Sequence, residues 1–241
     1  MGSQQNKLAY ITGSSRGIGA ALVDLLLGLD YQIIGIARTY ITERPNFKSI
    51  QLDLNDLEAV RAFNFSEVAS EVLLINNAGL IGEIAPIGQV ADRSIEEVIN
   101  VNTIAPQILM NKFIKTYLKT AEKGHIINIS SGAGKQPIDA WASYCASKAA
   151  LDIFSRTTAE ELKTRGSDNW HIHAIAPGVV DTQMQTDIRQ AKSHDFKLLD
   201  HFVALKNDNE LSAPKIVAAK IYKVIDQPTD YPETVISVRN F

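Results

Sequence analysis

The chain has 241 residues, 45% of them hydrophobic and 21% charged, with a formal net charge of −3. This composition is ordinary for a globular protein and lacks the basic surplus typical of nucleic-acid-binding proteins. The single cysteine, Cys145, excludes an internal disulfide and fits a reducing compartment. No signal peptide or membrane-length apolar stretch is found. We therefore expect one cytoplasmic domain over residues 1–241 that binds neither nucleic acid nor a membrane.

Short apolar runs alternate with helical patterns along the chain. The apolar runs predict strands at 7–12, 31–37, 47–53, 72–79, 125–130, 170–178 and 233–238. The helical patterns cover 17–28, a segment from about 55, 95–121, 141–165 and 215–225. Buried strands alternating with helices predict an α/β protein, with a parallel sheet covered by helices on both faces.

Glycine-rich or polar clusters follow four of the predicted strands. They lie at 13–19, 76–79, 130–132 and 177–178. Because ligands of parallel α/β sheets bind at the carboxyl ends of the strands, these clusters are expected to share one edge and to form the binding site.

The first cluster belongs to the sequence TGSSRGIG, residues 12–19, whose glycines are Gly13, Gly17 and Gly19. A glycine directly after a strand permits a sharp turn, and two more let the backbone N–H groups of a helix approach a phosphate. In NAD-binding folds an acidic residue after the second strand binds the ribose hydroxyls. Here that position is Arg38, and Arg16 lies within the glycine loop. Two guanidinium groups suit the extra phosphate of NADP(H), so the sequence favours NADPH over NADH.

Tyr144 and Lys148 are four residues apart in a helical stretch and share one face. An ammonium at ~4 Å in an effective dielectric near ~20 contributes about 4 kcal/mol, or roughly three pKa units. We therefore expect Lys148 to lower the pKa of Tyr144, which would donate a proton to a carbonyl oxygen. Ser131 follows a buried strand and is a candidate hydrogen-bond donor to that oxygen. Asn102, polar within an apolar helical stretch, taken alone is interpreted as a structural residue bonded to a backbone carbonyl.

Six motifs, TGSSRGIG, NNAG, NVN, ISS, YCASK and PGVVDT, occur in the order and spacing of the short-chain dehydrogenase/reductase family. The chain resembles this family over essentially its whole length. The resemblance implies a Rossmann-type, doubly wound parallel sheet of seven strands in the order 3-2-1-4-5-6-7. It also implies hydride transfer between a nicotinamide cofactor and a small-molecule carbonyl or alcohol, in a homodimer or homotetramer built on the long helices.

The resemblance also assigns roles to residues. Tyr144 is the acid–base, Lys148 lowers its pKa and holds the nicotinamide ribose, Ser131 orients the carbonyl, and Asn102 holds a water of the proton relay. Asp53 would contact the adenine, Asn77 to Gly79 the adenosine ribose, and the segment after Ala176 the carboxamide end. The expected NADPH/NADP+-binding residues are Gly13, Ser15, Arg16, Gly17, Ile18, Gly19, Arg38, Asp53, Leu54, Asn77, Ala78, Gly79, Tyr144, Lys148, Pro177, Gly178, Val180 and Thr182.

Within the family, residues 177–189 and 201–218 are similar to sepiapterin reductases and benzil-type diketone reductases. Ser237 stands where sepiapterin reductases carry a pterin-binding acid, which favours a more general α-dicarbonyl reductase. Trp141, Met184 and Phe202 are candidate walls of the substrate pocket. The alternatives are a 3-oxoacyl reductase, a sugar or alcohol dehydrogenase, or a non-catalytic NADP sensor, although sensors usually lose the tyrosine or the lysine.

A metal site is not expected. His171 and His173 lie on one strand face, but no third ligand has a suitable spacing in the sequence. They are interpreted as ordinary strand residues.

Overall fold

The computed structural model describes residues 6–241 and contains seven parallel strands in one sheet. The strands are β1 Lys7–Thr12, β2 Tyr31–Ala37, β3 Phe47–Gln51, β4 Glu71–Asn76, β5 Lys123–Ile129, β6 Trp170–Ala176 and β7 Val235–Ser237. Their spatial order is β3-β2-β1-β4-β5-β6-β7, which confirms the predicted Rossmann-type arrangement. The order reverses between β1 and β4, and such a switch point opens a crevice at the carboxyl ends of the strands.

Residues 6–241 contain eight α-helices. They are α1 Gly17–Leu27, α2 Leu57–Ala62, α3 Asp92–Ile99, α4 Ala105–Tyr117, α5 Ala142–Thr164, α6 Gln183–Arg189, α7 Leu199–Asn207 and α8 Pro214–Asp226. No helix of residues 6–241 is both long and apolar enough to cross a membrane.

The helix predicted over residues 95–121 is not continuous. A π-helical turn, Asn100–Ile104, separates α3 from α4, and Ala105 N–H bonds to the carbonyl of Asn100. Helices α6 and α7, which lie between β6 and α8, were not predicted from the sequence.

Side-chain alternation along the strands divides the core into two layers. In β1, Ala9 and Ile11 face one cluster while Leu8 and Tyr10 face the other. All four are at most 2% exposed, because both faces of a parallel sheet are covered by helices. The first layer lies beneath α1 and α8 and the second beneath α4, so both faces are packed and only the strand ends are open to a ligand.

Candidate functional site

Three glycines shape the loop between β1 and α1. Gly13 and Gly17 have φ angles of +66° and +57°, which side chains other than glycine rarely adopt. The Gly13 N–H donates to the carbonyl of Ile36 at 2.8 Å, so the loop begins against the end of β2. A Cβ on Gly19 would overlap the carbonyl oxygen of Gly13. The N-cap side chain makes no hydrogen bond to α1, which leaves the first N–H groups of the helix available to an anion.

The loop after β4 is bonded directly to the glycine loop. The side-chain amide of Asn77 donates to the carbonyls of Thr12 and Gly13, both at 3.0 Å. The backbone N–H groups of Asn77 and Ala78 donate to the hydroxyl of Thr12 at 3.0 and 3.1 Å. The two loops are therefore joined by four hydrogen bonds across the β1–β4 switch point.

The basic residues predicted to select the cofactor lie at the same edge. Arg38 directly follows β2, Arg16 is the N-cap residue of α1, and both are exposed. Neither guanidinium forms an ion pair with a carboxylate of the described part of the chain, residues 6–241. Both positive charges are thus available to a ligand at this end of the sheet.

The other predicted cofactor-binding residues of the glycine loop, α1 and the segment after β3 differ in exposure. Asp53 is exposed after β3, where its carboxylate accepts the N–H of Asn55 at 2.9 Å. Leu54 is buried, Ser15 is exposed in the glycine loop, and Ile18 is buried in the first turn of α1.

The segment after β6 closes the other side of the crevice. Gly178 has a φ of +75°, and Pro177 beside it is half-buried. Val180 is buried, and Thr182 is the N-cap residue of α6. A Cβ on Gly17 would lie 3.2 Å from the methyl group of Thr182, so this segment reaches the glycine loop.

The predicted catalytic residues meet between β5 and α5. Tyr144 and Lys148 lie one turn apart on α5, and both are buried. The Lys148 Nζ is 5.7 Å from the ring centroid of Tyr144 and donates to the carbonyl of Ile129 at 2.8 Å. Ser131 follows β5, where its hydroxyl accepts the N–H of Ala133 at 3.2 Å and lies near enough to Tyr144 to affect the pKa of the phenol.

Asn102 lies in the π-helical turn and faces the same centre. Its amide donates to the carbonyl of Leu80 at 2.8 Å and to the hydroxyl of Ser147 at 3.1 Å. The bond to Leu80 agrees with the structural interpretation of this residue, whereas its role with a water stays a prediction. A Cβ on Gly79 would lie 3.3 Å from the Asn102 Oδ1 and 3.5 Å from the Lys148 Nζ, so Gly79 directly overlies both side chains.

Burial controls the proton affinities of the two central groups. It raises the pKa of Tyr144, and the neighbouring Ser131 hydroxyl only partly opposes this. Burial also lowers the pKa of Lys148 to about 8, although the negative charge of Asp152 has the opposite effect and raises this pKa. The net shift of the Tyr144 pKa in this structure is therefore upward, because the phenol is desolvated and the Lys148 ammonium is directed to the carbonyl of Ile129. The expectation that Lys148 lowers this pKa stays a prediction.

An aromatic cluster adjoins Tyr144. Trp141 stacks on Phe196 with ring centroids 5.4 Å apart, lies 5.4 Å from Phe202, and meets Tyr144 edge-on at 5.7 Å. Met184 packs against the same cluster. The Trp141 indole N–H is buried without a hydrogen-bond partner among residues 6–241. The three residues predicted as pocket walls thus lie together beside the phenol.

The three strand histidines lie away from this centre. His125 Nε2 is 2.9 Å from His173 Nδ1, and His173 Nε2 is 2.8 Å from the carbonyl of Tyr231. His171 pairs in register with His125, and burial lowers the pKa of all three. The proximity of His125 to His171 and His173 was not predicted from the sequence, because His125 lies on the adjacent strand β5. Among the described residues no group of three histidines, cysteines or carboxylates is arranged to hold a metal.

Two charged residues near the site escaped the sequence analysis. Asp152 lies one turn beyond Lys148 on α5, and this i+4 spacing was a readable signal. Arg239 follows β7, and its Nε is 3.6 Å from the position of a Cβ on Gly178, a proximity without a sequence signal. Ser237 ends β7, and its hydroxyl accepts the N–H of Arg239 at 3.3 Å.

Comparisons with known proteins agree with this geometry. A family model described as short chain dehydrogenase matches residues 7–193. The benzil reductase ((S)-benzoin forming) of Bacillus cereus is 36% identical over 236 residues, covering 91% of this chain and 94% of that protein. Its namesake in Bacillus subtilis is 31% identical over 232 residues, covering 93% and 95%. A structure of 4-hydroxyisoleucine dehydrogenase complexed with NADH has a TM-score of 0.78 at 25% identity and covers 96% of each chain.

The fold, the clustered loops and these matches define an oxidoreductase of the kind that uses a nicotinamide cofactor and a small-molecule substrate. The chain belongs to the short-chain dehydrogenase family, and its relatives include carbonyl-reducing benzil reductases. The family identified from the six motifs is thereby confirmed.

Proposed function

We propose that this protein is an NADPH-dependent reductase that converts a ketone or α-dicarbonyl compound to the alcohol. The observation that carries the proposal is the convergence of Ser131, Tyr144, Lys148 and Asn102 at one buried centre on the carboxyl edge of the sheet. The similarity to two benzil reductases supports a diketone as the substrate class.

In the proposed reaction Tyr144 donates its phenolic proton to the carbonyl oxygen of the substrate. Its raised pKa keeps the phenol protonated at neutral pH, which is the form that reduction requires. Ser131, which lies beside Tyr144, orients the same oxygen as negative charge develops on it. The ammonium of Lys148 then stabilises the phenolate that remains on Tyr144.

The loops at the switch point fit a dinucleotide. Gly19 permits the tight turn of the glycine loop, where a Cβ would overlap the Gly13 carbonyl, and the first N–H groups of α1 have no side-chain cap, so they are available to a phosphate. A bound nicotinamide cofactor supplies the hydride. In our proposal the cofactor-binding residues are those predicted from the sequence, from Gly13 in the glycine loop to Thr182 before α6.

The choice of NADPH over NADH rests on Arg16 and Arg38. Both guanidinium groups are exposed at the adenosine end of the crevice and free of carboxylate partners among residues 6–241. A 2′-phosphate there would receive charge-assisted hydrogen bonds from them. The structural neighbour bound to NADH shows that the fold alone does not select between the cofactors.

In our proposal the substrate is benzil-like rather than sepiapterin-like. The side chains packed together beside Tyr144 are aromatic, namely Trp141, Phe196 and Phe202. An aryl ketone would pack against such a surface. Ser237, at the end of β7, carries no charge for the amino-pyrimidine of a pterin.

The quaternary structure and location stay predictions from the sequence. A homodimer or homotetramer built on the long helices agrees with Ile153, an apolar residue of α5 that is 58% exposed. Sedimentation of the purified protein would measure the assembly directly.

The function is tested by following NADPH oxidation with a panel of benzil, sepiapterin, a 3-oxoacyl thioester and simple sugars. We expect turnover with benzil to exceed that with the other carbonyls. Replacing Tyr144 by phenylalanine should lower kcat by at least about 100-fold, because the proton donor is lost, while NADPH binding stays within about twofold. Faster turnover of the thioester or of a sugar than of benzil would contradict the proposed diketone substrate and identify that compound class as the substrate instead. Binding of NADPH without turnover of any carbonyl would identify a sensor.

A further inference from the structure

A buried carboxylate lies one turn beyond Lys148 on the face of α5 that carries the reacting groups. Tyr144, Lys148 and Asp152 follow one another at intervals of four residues, so their side chains share that face. Asp152 is only 6% exposed. A carboxylate is rarely buried to this degree unless bonded or paired, because desolvation penalises its charged form.

Asp152 is bonded to the segment that carries Ser131. Its Oδ1 accepts the hydroxyl of Ser130 at 2.5 Å. A Cβ on Gly134 would lie 3.1 Å from its Oδ2, so the carboxylate also packs against the 3₁₀ turn Gly132–Gly134. Ser131 stands between these two contacts. Its position relative to Tyr144 therefore depends on a side chain that does not itself reach the carbonyl-binding position.

Asp152 also influences the charge of its neighbour. Burial raises the pKa of Asp152, while the hydrogen bond from Ser130 and the cations of Lys135, Arg156 and Lys148 lower it. The pKa of Asp152 is raised overall, and the Ser130 hydrogen bond and the three cations are the interactions that favour its carboxylate form. In return, Asp152 opposes the burial that lowers the pKa of Lys148.

The other groups around the Lys148 ammonium are neutral at neutral pH. They are the Tyr144 phenol on the same helix, the carbonyl of Ile129 at the end of β5, the Asn102 amide of the π-helical turn and the backbone at Gly79. Removing the Asp152 charge should therefore act on Lys148 without a second carboxylate to compensate.

We propose that Asp152 is a positioning residue of this active site. Through Ser130 it holds the segment that carries Ser131, and its negative charge stabilises the buried ammonium of Lys148. This proposal rests on the proposed function, because Ser131 and Lys148 matter to catalysis only if the site reduces carbonyls.

Two substitutions separate the charge from the geometry. Asp152→Asn keeps an oxygen that accepts from Ser130 but removes the charge, whereas Asp152→Glu keeps the charge and displaces the oxygen. We expect Asp152→Asn to move the basic limb of the kcat/KM profile to lower pH by about one unit, because Lys148 loses its proton earlier. Asp152→Glu should leave that limb in place and lower kcat by roughly 10-fold or more, because Ser131 is displaced.

Two further variants serve as a control and as an independent test of the positioning role. Asp168→Asn makes the same charge change at an exposed position just before β6 and should leave the profile unchanged. Ser130→Ala removes the hydrogen bond to Asp152 and should lower kcat roughly 10-fold by the same displacement of Ser131. If Asp152→Asn does not fold, Asp152→Glu and Ser130→Ala decide the positioning role.

A readout without turnover separates this proposal from the proposed function. The pH dependence of the unfolding free energy contains a contribution from Lys148 that can be followed without turnover. The rise of this contribution above neutral pH should begin about one unit lower in Asp152→Asn than in the wild type. A wild type inactive on every carbonyl would reject the proposed function alone. An unchanged limb and unfolding profile in a folded Asp152→Asn, or full kcat in both Asp152→Glu and Ser130→Ala, would overturn the role of Asp152.

Discussion

Replacing Lys148 by methionine removes a buried proton-binding group whose effect on stability varies with pH. The side chain is only 4% exposed, and burial lowers its pKa from 10.5 to about 8. Between these two values the unfolded chain retains the proton that the folded protein has lost. The wild-type free energy of unfolding must therefore gain a rising contribution from Lys148 over this window.

The pKa difference sets the size of the effect. At about 1.4 kcal/mol per unit, holding Lys148 charged in the folded protein costs about 3 kcal/mol at neutral pH. By about pH 9.5 roughly 2 kcal/mol of that penalty is relieved, because the folded protein has released the proton. Lys148→Met binds no proton there, so its own profile should lack this rise.

Urea unfolding of the wild type and of Lys148→Met between about pH 7 and pH 9.5 measures the difference. Tyr10, Tyr31, Tyr117 and Tyr222, whose pKa values burial raises, are present in both proteins and cancel in the comparison. The wild type should gain about 2 kcal/mol relative to the variant across this range. Parallel profiles would refute the argument, since they would mean that Lys148 has an ordinary pKa in the folded protein.

Two further substitutions test the cofactor crevice. Arg38→Asp should lower the ratio of kcat/KM for NADPH to that for NADH by at least about 10-fold, because a favourable phosphate contact becomes a repulsion; an unchanged ratio would contradict the NADPH preference. Gly19→Ala should lower the free energy of unfolding by about 1–3 kcal/mol and weaken NADPH binding in a fluorescence titration, because the new Cβ meets the Gly13 carbonyl and the Asn77 amide. Its control is Gly28→Ala at the other end of α1, where φ is −66° and we expect a change within about 0.5 kcal/mol. Equal effects of the two alanines would contradict the packing argument.

The sheet was predictable because its strands are buried on both faces and therefore appear as apolar runs bounded by loops. The interruption of the helix over residues 95–121 was not, since Val101 and Ile104 keep the helical spacing of apolar residues through the segment Asn100–Ile104. What marks the π-helical turn is the bonding of Asn102 to Leu80, a contact across 22 residues of chain. One local signal was present: Pro106 stands in the first turn of α4, where proline is preferred.

In the site, the sequence predicted contacts between residues a few positions apart, but it did not predict contacts between residues distant in the chain. Tyr144 and Lys148 share a helix face, so their proximity follows from a spacing of four residues. The direction of the Lys148 ammonium follows instead from the carbonyl of Ile129, 19 residues away on β5. The bond between Asp152 and Ser130 spans 22 residues in the same way. The raised pKa of Tyr144 depends on how completely these elements exclude water, which spacing alone does not determine.

The opposite pKa shifts of Tyr144 and Lys148 have a consequence for the direction of the proposed reaction. Reduction begins with a protonated phenol, and burial favours that form. Oxidation of an alcohol begins with a phenolate, which the same burial disfavours, and above about pH 8 Lys148 loses the charge that would stabilise it. An increase in pH therefore produces less phenolate than a tyrosine beside a permanently charged lysine would give. At neutral pH the local electrostatics of the site therefore favour the proposed carbonyl reduction. This is the reaction that the names of the two benzil reductase relatives describe.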